Sequence, residues 1–406
     1  GGGSARWRGG GLALTPNPSP KLGEGSRARG AVRMPMSADL PADPCTDPFA
    51  AGRWLERPAV GGVSHRVWFC EGGDPAGRPV LVIHGGPGGR SRVESVAGFA
   101  GLPLRWIAVD QRGCGRSLPL GELCGNTLEH LLDDLEALRG HLGLEGWAVA
   151  AGSWGAFVAL AYAARHPQQV QGLLLRSAFL GSVEELQHYL VGWSPWLGEA
   201  GRGWLSGESG ESGEGTALTT PLDLADLYLG HRYDLARLSP AGQPPSSAED
   251  RLALAAQAYD DDQGVPGGVR ASGARWSLAR MLRPEARSEA ALASWRVHAH
   301  YGVNHWTLGH DAWGWAAEVL PALAVRGLPL ALVHGEADAV CPVATTDRLE
   351  ALAGLGAAGP RGPGVGRGVE VHRVPGGGHR MGSEPMAAAL REAAQRWGRR
   401  LTILAP

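Results

Sequence analysis

Between residues 147 and 167 the chain passes from an apolar strand to a helix through a turn of small residues with a serine at its centre. Trp147-Ala148-Val149-Ala150 is the strand, and Ala151-Gly152-Ser153-Trp154-Gly155 is the turn. Ala156 to His166 is a run of good helix formers that stops at Pro167. This join restricts the fold, because a buried strand that feeds a helix directly belongs to a layered arrangement of sheet and helices. It also has chemical content. A tight strand-to-helix turn lifts the serine hydroxyl above the sheet edge, and the helix directs the partial positive charge of its N-terminus at that oxygen. Ala151 stands where the G-x-S-x-G pattern has its first glycine, and its single methyl group meets the requirement for a small residue.

The same alternation recurs along the chain. Val63 to Phe69 alternates like an early antiparallel strand, while Val80-Leu81-Val82-Ile83 and Trp106-Ile107-Ala108-Val109 are continuous apolar runs, as buried strands are. Leu128 to Leu142 carries leucines at helical spacing, with Asn126 or Thr127 as cap and Glu129 in the first turn. Gly172 to Leu175, Leu330 to Val333 and Val369 to Val374 complete the strands, and a last helix runs from about Glu384 to Arg400. Strands alternating with helices predict a mostly parallel sheet with helices on both faces.

Four segments follow from this pattern. Residues 1–45 are rich in Gly, Pro, Ser and Arg, have no hydrophobic period, and read as a disordered extension. Met34 and Met36 lie just before the first structured-looking stretch, so residues 1–33 are expected to be upstream of the working protein. Residues 46–177 and 325–406 form the two parts of the α/β core. Residues 178–324 are Trp-rich and broken by Gly/Ser/Pro clusters at 206–215 and 240–248, and they read as an inserted helical cap.

Composition removes several chemistries. With 406 residues and 44% hydrophobic content the chain can bury a large core, and a formal net charge of -2 leaves no basic footprint for nucleic acid or an anionic membrane. No apolar run approaches the roughly 18–20 residues of a membrane span. The five cysteines are scattered and form no C-x-x-C, so neither a disulfide framework nor a zinc site is expected, and a cytoplasmic location is. The single lysine is Lys21, in the N-terminal extension, which excludes a Schiff base, a Ser-Lys dyad or a Walker-type loop from the body of the chain.

Functional groups in such a sheet gather at the carboxyl ends of strands. His84-Gly85-Gly86-Pro87-Gly88-Gly89 follows one strand, His334-Gly335-Glu336-Ala337-Asp338 another, and Pro375-Gly376-Gly377-Gly378-His379 a third. Ser153, Asp338 and His379 then stand in the chain order of the α/β-hydrolase triad, with Glu336 as the competing acid and His334 as a local hydrogen-bonding residue. Ser153 would attack, His379 would carry the proton, and Asp338 would hold the imidazole. The backbone N–H groups of Gly86 and Trp154 would form the oxyanion hole. No metal and no cofactor is needed.

Three runs carry a family resemblance. His84-Gly85-Gly86-Pro87-Gly88-Gly89, Asp110-Gln111-Arg112-Gly113-Cys114-Gly115-Arg116-Ser117 and Gly152-Ser153-Trp154-Gly155 together resemble the proline iminopeptidases (prolyl aminopeptidases), and Asp338 to Pro342 is similar to the acid loop of that family. The resemblance spans about residues 48–402. It implies an α/β-hydrolase that removes an N-terminal residue from short peptides through an acyl-enzyme, and it implies that Asp110 and Arg112 brace the loops. In that family two cap glutamates grip the free α-amine of the substrate. Laying those runs on Trp276-Ser277-Leu278-Ala279-Arg280 and on Trp295-Arg296-Val297-His298-Ala299-His300-Tyr301 replaces the glutamates with Arg280 and His298, which become the expected substrate contacts. Two alternatives stay open: an esterase or amidase acting on substrates without a free amine, and a non-catalytic relative used as a binding module. Trp276, Trp295, Trp306, Trp313 and Trp315 could line the pocket or simply pack in the core.

Overall fold

The computed structural model describes residues 47–182, 184, 185, 188, 289–303, 310–354 and 369–403. Contacts divide the chain at Asp47/Pro48, and the unit Pro48–Pro406 is taken by itself. The extension 1–45 with Met34 and Met36, the clusters at 206–215 and 240–248, Arg280, and the loop after Gly354 all lie outside the described residues.

The described strands form one eight-stranded sheet in the order β1-β2-β4-β3-β5-β6-β7-β8. They are β1 (Arg53–Val60), β2 (Val63–Gly73), β3 (Arg78–Ile83), β4 (Leu104–Asp110), β5 (Trp147–Gly152), β6 (Val170–Arg176), β7 (Leu330–Gly335) and β8 (Val369–Val374). β2 pairs antiparallel with β1 and β4, and every other pairing is parallel. The helices are α1 (Glu94–Ala97), α2 (Leu128–His141), α3 (Trp154–Arg165), α4 (Glu289–Val303), α5 (Ala312–Val325), α6 (Val343–Leu352) and α7 (Met386–Ile403).

Side-chain alternation on the strands sorts the core into two layers. Leu81, Ile83, Val149, Ala151, Leu173 and Leu175 point to the face covered by α2, α3 and α5. Val80, Val82, Ala148, Ala150 and Leu174 point to the other face, against Val96 of α1 and Trp397 and Leu401 of α7. Buried on both sides, the central strands read as unbroken apolar runs. Thr127 is the cap of α2 and accepts from the His130 amide. The sequence pattern misses β1 because this edge strand is largely exposed on both faces and so has no hydrophobic alternation.

Candidate active site

The turn between β5 and α3 holds Ser153 at φ 54° and ψ -130°, a conformation that a residue with a Cβ adopts only under constraint. Its neighbours leave no room for larger residues. A Cβ on Gly155 would lie 2.7 Å from the carbonyl oxygens of Ile83 and His84, and one on Gly152 would lie 2.7 Å from the Arg176 guanidinium. The Ser153 amide donates to the Arg176 carbonyl at 2.9 Å, and its own carbonyl accepts from Ala156 at 2.9 Å.

The loops after β7 and β8 meet this turn. His379 Nε2 lies 3.2 Å from Ser153 Oγ, and its Nδ1 lies 2.9 Å from Asp338 Oδ2 and 3.1 Å from Oδ1. Asp338 Oδ1 also accepts from the amides of Val340 and Cys341 at 2.9 Å each. Burial opposes ionisation of Asp338, but the His379 contact and these amides outweigh it and hold the carboxyl well below its ordinary range. Glu336 is exposed, whereas Asp338 is buried. His334 bonds Thr346 Oγ1 at 2.7 Å and the Cys341 carbonyl at 3.0 Å, and burial lowers its pKa. The Cys341 thiol is bonded to Ser153, and burial and the nearby Asp338 raise its pKa well above the usual thiol range. A thiol so placed stays protonated and is a poor nucleophile.

The glycine loop after β3 packs directly on the elbow, so that a Cβ on Gly85 would lie 3.1 Å from that of Ser153. Gly86 has φ 140°, and a Cβ there would crowd the amides of Gly88 and Gly89 at 2.7 Å. Gln111 joins the loop to α3: its amide nitrogen donates to the His84 carbonyl at 2.9 Å, and its Oε1 accepts from Trp154 Nε1 at 3.2 Å. Asp110 accepts from the Ser91 amide at 2.6 Å and from Arg116, and Arg112 makes a bidentate pair with buried Asp134 at 2.6 and 2.7 Å. Both residues therefore brace loops. A cavity of about 1140 Å³ opens over the elbow, lined by Ser153, His379, Gly86, Arg176, Phe179 and His298 among others.

A family model for the alpha/beta hydrolase fold matches residues 78–379, from the start of β3 to the histidine at the elbow. The proline iminopeptidase of Xylella fastidiosa (strain Temecula1) is 32% identical over 285 residues, covering 69% of this chain and 80% of that protein. The proline iminopeptidase of Arabidopsis thaliana is 29% identical over 288 residues, covering 69% of this chain and 66% of its own length. The chain belongs to the proline iminopeptidase family of α/β hydrolases. A solved structure of a haloalkane dehalogenase DbeA variant from Bradyrhizobium elkanii matches 86% of this chain and 97% of its own, with a TM-score of 0.52 at 16% identity, and so shares the fold alone.

Of the two cap positions singled out by the proline iminopeptidase resemblance, Arg280 lies outside the described residues, and His298 borders the cavity on α4. α4 is docked onto the core by Ser294, which donates to the Gly88 carbonyl, and by Tyr301, whose hydroxyl donates to Asn126 Oδ1 at 3.0 Å. The Tyr301 ring also lies 4.7 Å from that of Trp154. Burial pushes the His298 imidazole down to about 4, and its ring bonds the Pro87 carbonyl. Trp313 and Trp315 pack with the core: Trp315 lies 5.5 Å from Phe157, and the Arg348 guanidinium sits 3.9 Å over Trp313.

Two buried charged residues near the site escaped the sequence reading. Glu185 accepts from the amides of Leu180 and Ser182 and from Thr345 Oγ1, and burial raises its pKa. It lies in a stretch without periodicity, so nothing marked it. Arg176 did carry a signal, as a charged residue closing an apolar strand beside the elbow. Among the described residues no group of three or more His, Cys, Asp and Glu is arranged to hold a metal, and no helix is long and apolar enough to cross a membrane.

Proposed function

We propose that the chain is a prolyl aminopeptidase-like serine hydrolase that releases the N-terminal residue of short peptides through an acyl-enzyme. One observation carries this reading: Ser153, His379 and Asp338, drawn from three distant strand ends, stand in a continuous hydrogen-bonded line of 3.2 and 2.9 Å. In the proposed cycle Ser153 Oγ attacks the scissile carbonyl as His379 Nε2 takes its proton, and the same nitrogen then returns the proton to the departing amine. Asp338 accepts from Nδ1–H, which leaves Nε2 as the base. Its depressed pKa supports a carboxylate that stays ionised while the ring becomes cationic. The N–H groups of Gly86 and Trp154 are the proposed oxyanion donors, supported by their places on the glycine loop and at the first residue of α3. Water then attacks the acyl-enzyme and releases the residue.

His298 and Arg280 are the proposed substrate contacts. At neutral pH His298 is uncharged, and the neutral ring does not repel an α-ammonium. The described cysteines Cys114, Cys124 and Cys341 are free thiols, which supports a reducing, cytoplasmic location. The test compares proline-naphthylamide with its N-acetyl derivative. The account expects hydrolysis of the free-amine substrate at least ten times faster in kcat/KM. Equal rates would move the assignment to a general amidase, and no turnover of either would reject the peptidase reading.

A further inference from the structure

Arg176 is 6% exposed, and among the described residues no carboxylate makes an ion pair with it. Burying a guanidinium without a paired acid is unfavourable, so its place needs a reason. Its surroundings supply one. The backbone carbonyl of Arg176 accepts from the Ser153 amide at 2.9 Å, while its Nη1 donates to the His379 carbonyl at 2.6 Å. The guanidinium lies across Gly152, where any Cβ would collide with it, and its Nε makes no hydrogen bond. One residue thus holds the backbones of two groups that are 226 positions apart in the chain. The second of these needs holding. His379 ends the run Pro375-Gly376-Gly377-Gly378, and three consecutive glycines fix the ring poorly by themselves. The charge of Arg176 also lies in the field of Asp338, so the side chain is attracted to the loops it joins.

We infer that Arg176 is a positioning residue for the hydrolytic reaction: it tethers the His379 loop to the nucleophile elbow and holds Nε2 in register with Ser153 Oγ. The inference rests on the triad reading above. It predicts that loosening the tether harms the chemical step and leaves substrate binding alone, since Nη1 is spent on a backbone oxygen. A misplacement of about 1 Å in a reacting group costs on the order of a hundredfold in rate.

The experiment measures kcat and KM with proline-naphthylamide for the full chain and for Arg176→Ala, Arg176→Gln and Arg176→Lys, with circular dichroism confirming that each is folded. The account expects kcat of Arg176→Ala to fall at least tenfold with KM within threefold. It expects guanidinium chloride at tens of millimolar to restore part of that kcat, sodium chloride at equal ionic strength to restore none, and Arg176→Lys to retain more activity than Arg176→Gln. A kcat within twofold of the parent would overturn the inference, as would a rise in KM alone, which would make Arg176 a substrate contact. A kcat loss with no guanidinium rescue and equal losses in the Lys and Gln variants would also overturn it. If the parent chain neither turns over substrate nor reacts with a fluorophosphonate at Ser153, the triad reading fails first, and that failure is visible separately.

Discussion

Two regions border the cavity and are held by different means. Ser153, Asp338 and His379 stand on turns at the ends of sheet strands, held by backbone hydrogen bonds, by small residues that leave no room for other packing, and by the Arg176 contact to the His379 carbonyl. His298 stands on α4, more than a hundred positions from the nearest core strand before it, and reaches the cavity because Ser294, His300 and Tyr301 dock the helix onto the loops around Gly88 and Asn126. In the proposed reading the first region supplies the bond chemistry, and the second shapes what is presented to it. A rigid chemical base under a docked recognition element lets substrate choice vary by changing the upper contacts while the lower ones stay fixed.

That contrast can be broken at its strongest point. Asp338→Asn should lower kcat about 10²–10⁴-fold with little change in KM, because an amide no longer favours Nδ1–H and the ring presents the wrong tautomer. Glu336→Gln, two residues earlier, should stay within twofold, and steady-state kinetics on both variants separates the buried acid from the exposed one. The same carboxylate gives a pH signature. Its pKa is depressed in the folded state, so its contribution to stability is present above the ordinary aspartate range near pH 4 and is lost as pH falls below it. The Tm difference between the parent and Asp338→Asn should therefore shrink on acidification, and a constant difference from pH 7 to pH 3 would contradict the depressed pKa.

A smaller effect is expected from the elbow's packing. Gly155→Ala places a methyl group 2.7 Å from two backbone carbonyls and should destabilise the chain by about 1–3 kcal/mol, read as a lower urea midpoint with unchanged slope. The smallest effect belongs to the docked region. His298→Ala should raise KM for proline-naphthylamide severalfold and leave kcat within twofold. A fall in kcat as large as that of Asp338→Asn would mean that α4 takes part in the chemistry and would erase the contrast.

The sequence was most legible where local rules decide. The elbow was visible because a strand, small residues and a helix lie within twenty positions, and the acid and histidine loops because each follows an apolar run. Glu336 and Asp338 could be ranked but not separated, since both occupy the same loop and what distinguishes them, the burial of Asp338 and its contact with His379, is set by the tertiary fold. The roles of Arg176 and Gln111 could not be read, although Arg176 stood out as a charge closing an apolar strand, because their partners, His379, His84 and Trp154, are brought to them by the tertiary fold. β1 left no trace because an exposed edge strand has no apolar period. The docking of α4 depends on side-chain contacts between residues 174 to 206 positions apart, which no periodicity encodes.

The central claim, a serine nucleophile driven by His379 and Asp338, is tested most directly by trapping its covalent intermediate. Rapid-quench mass spectrometry with the p-nitrophenyl ester of proline should show a burst of about one equivalent of nitrophenol. It should also show a prolyl adduct on the peptide containing Ser153, absent from Ser153→Ala and strongly slowed in Asp338→Asn. Turnover without an adduct, or an adduct on the neighbouring Cys341 instead, would contradict the account.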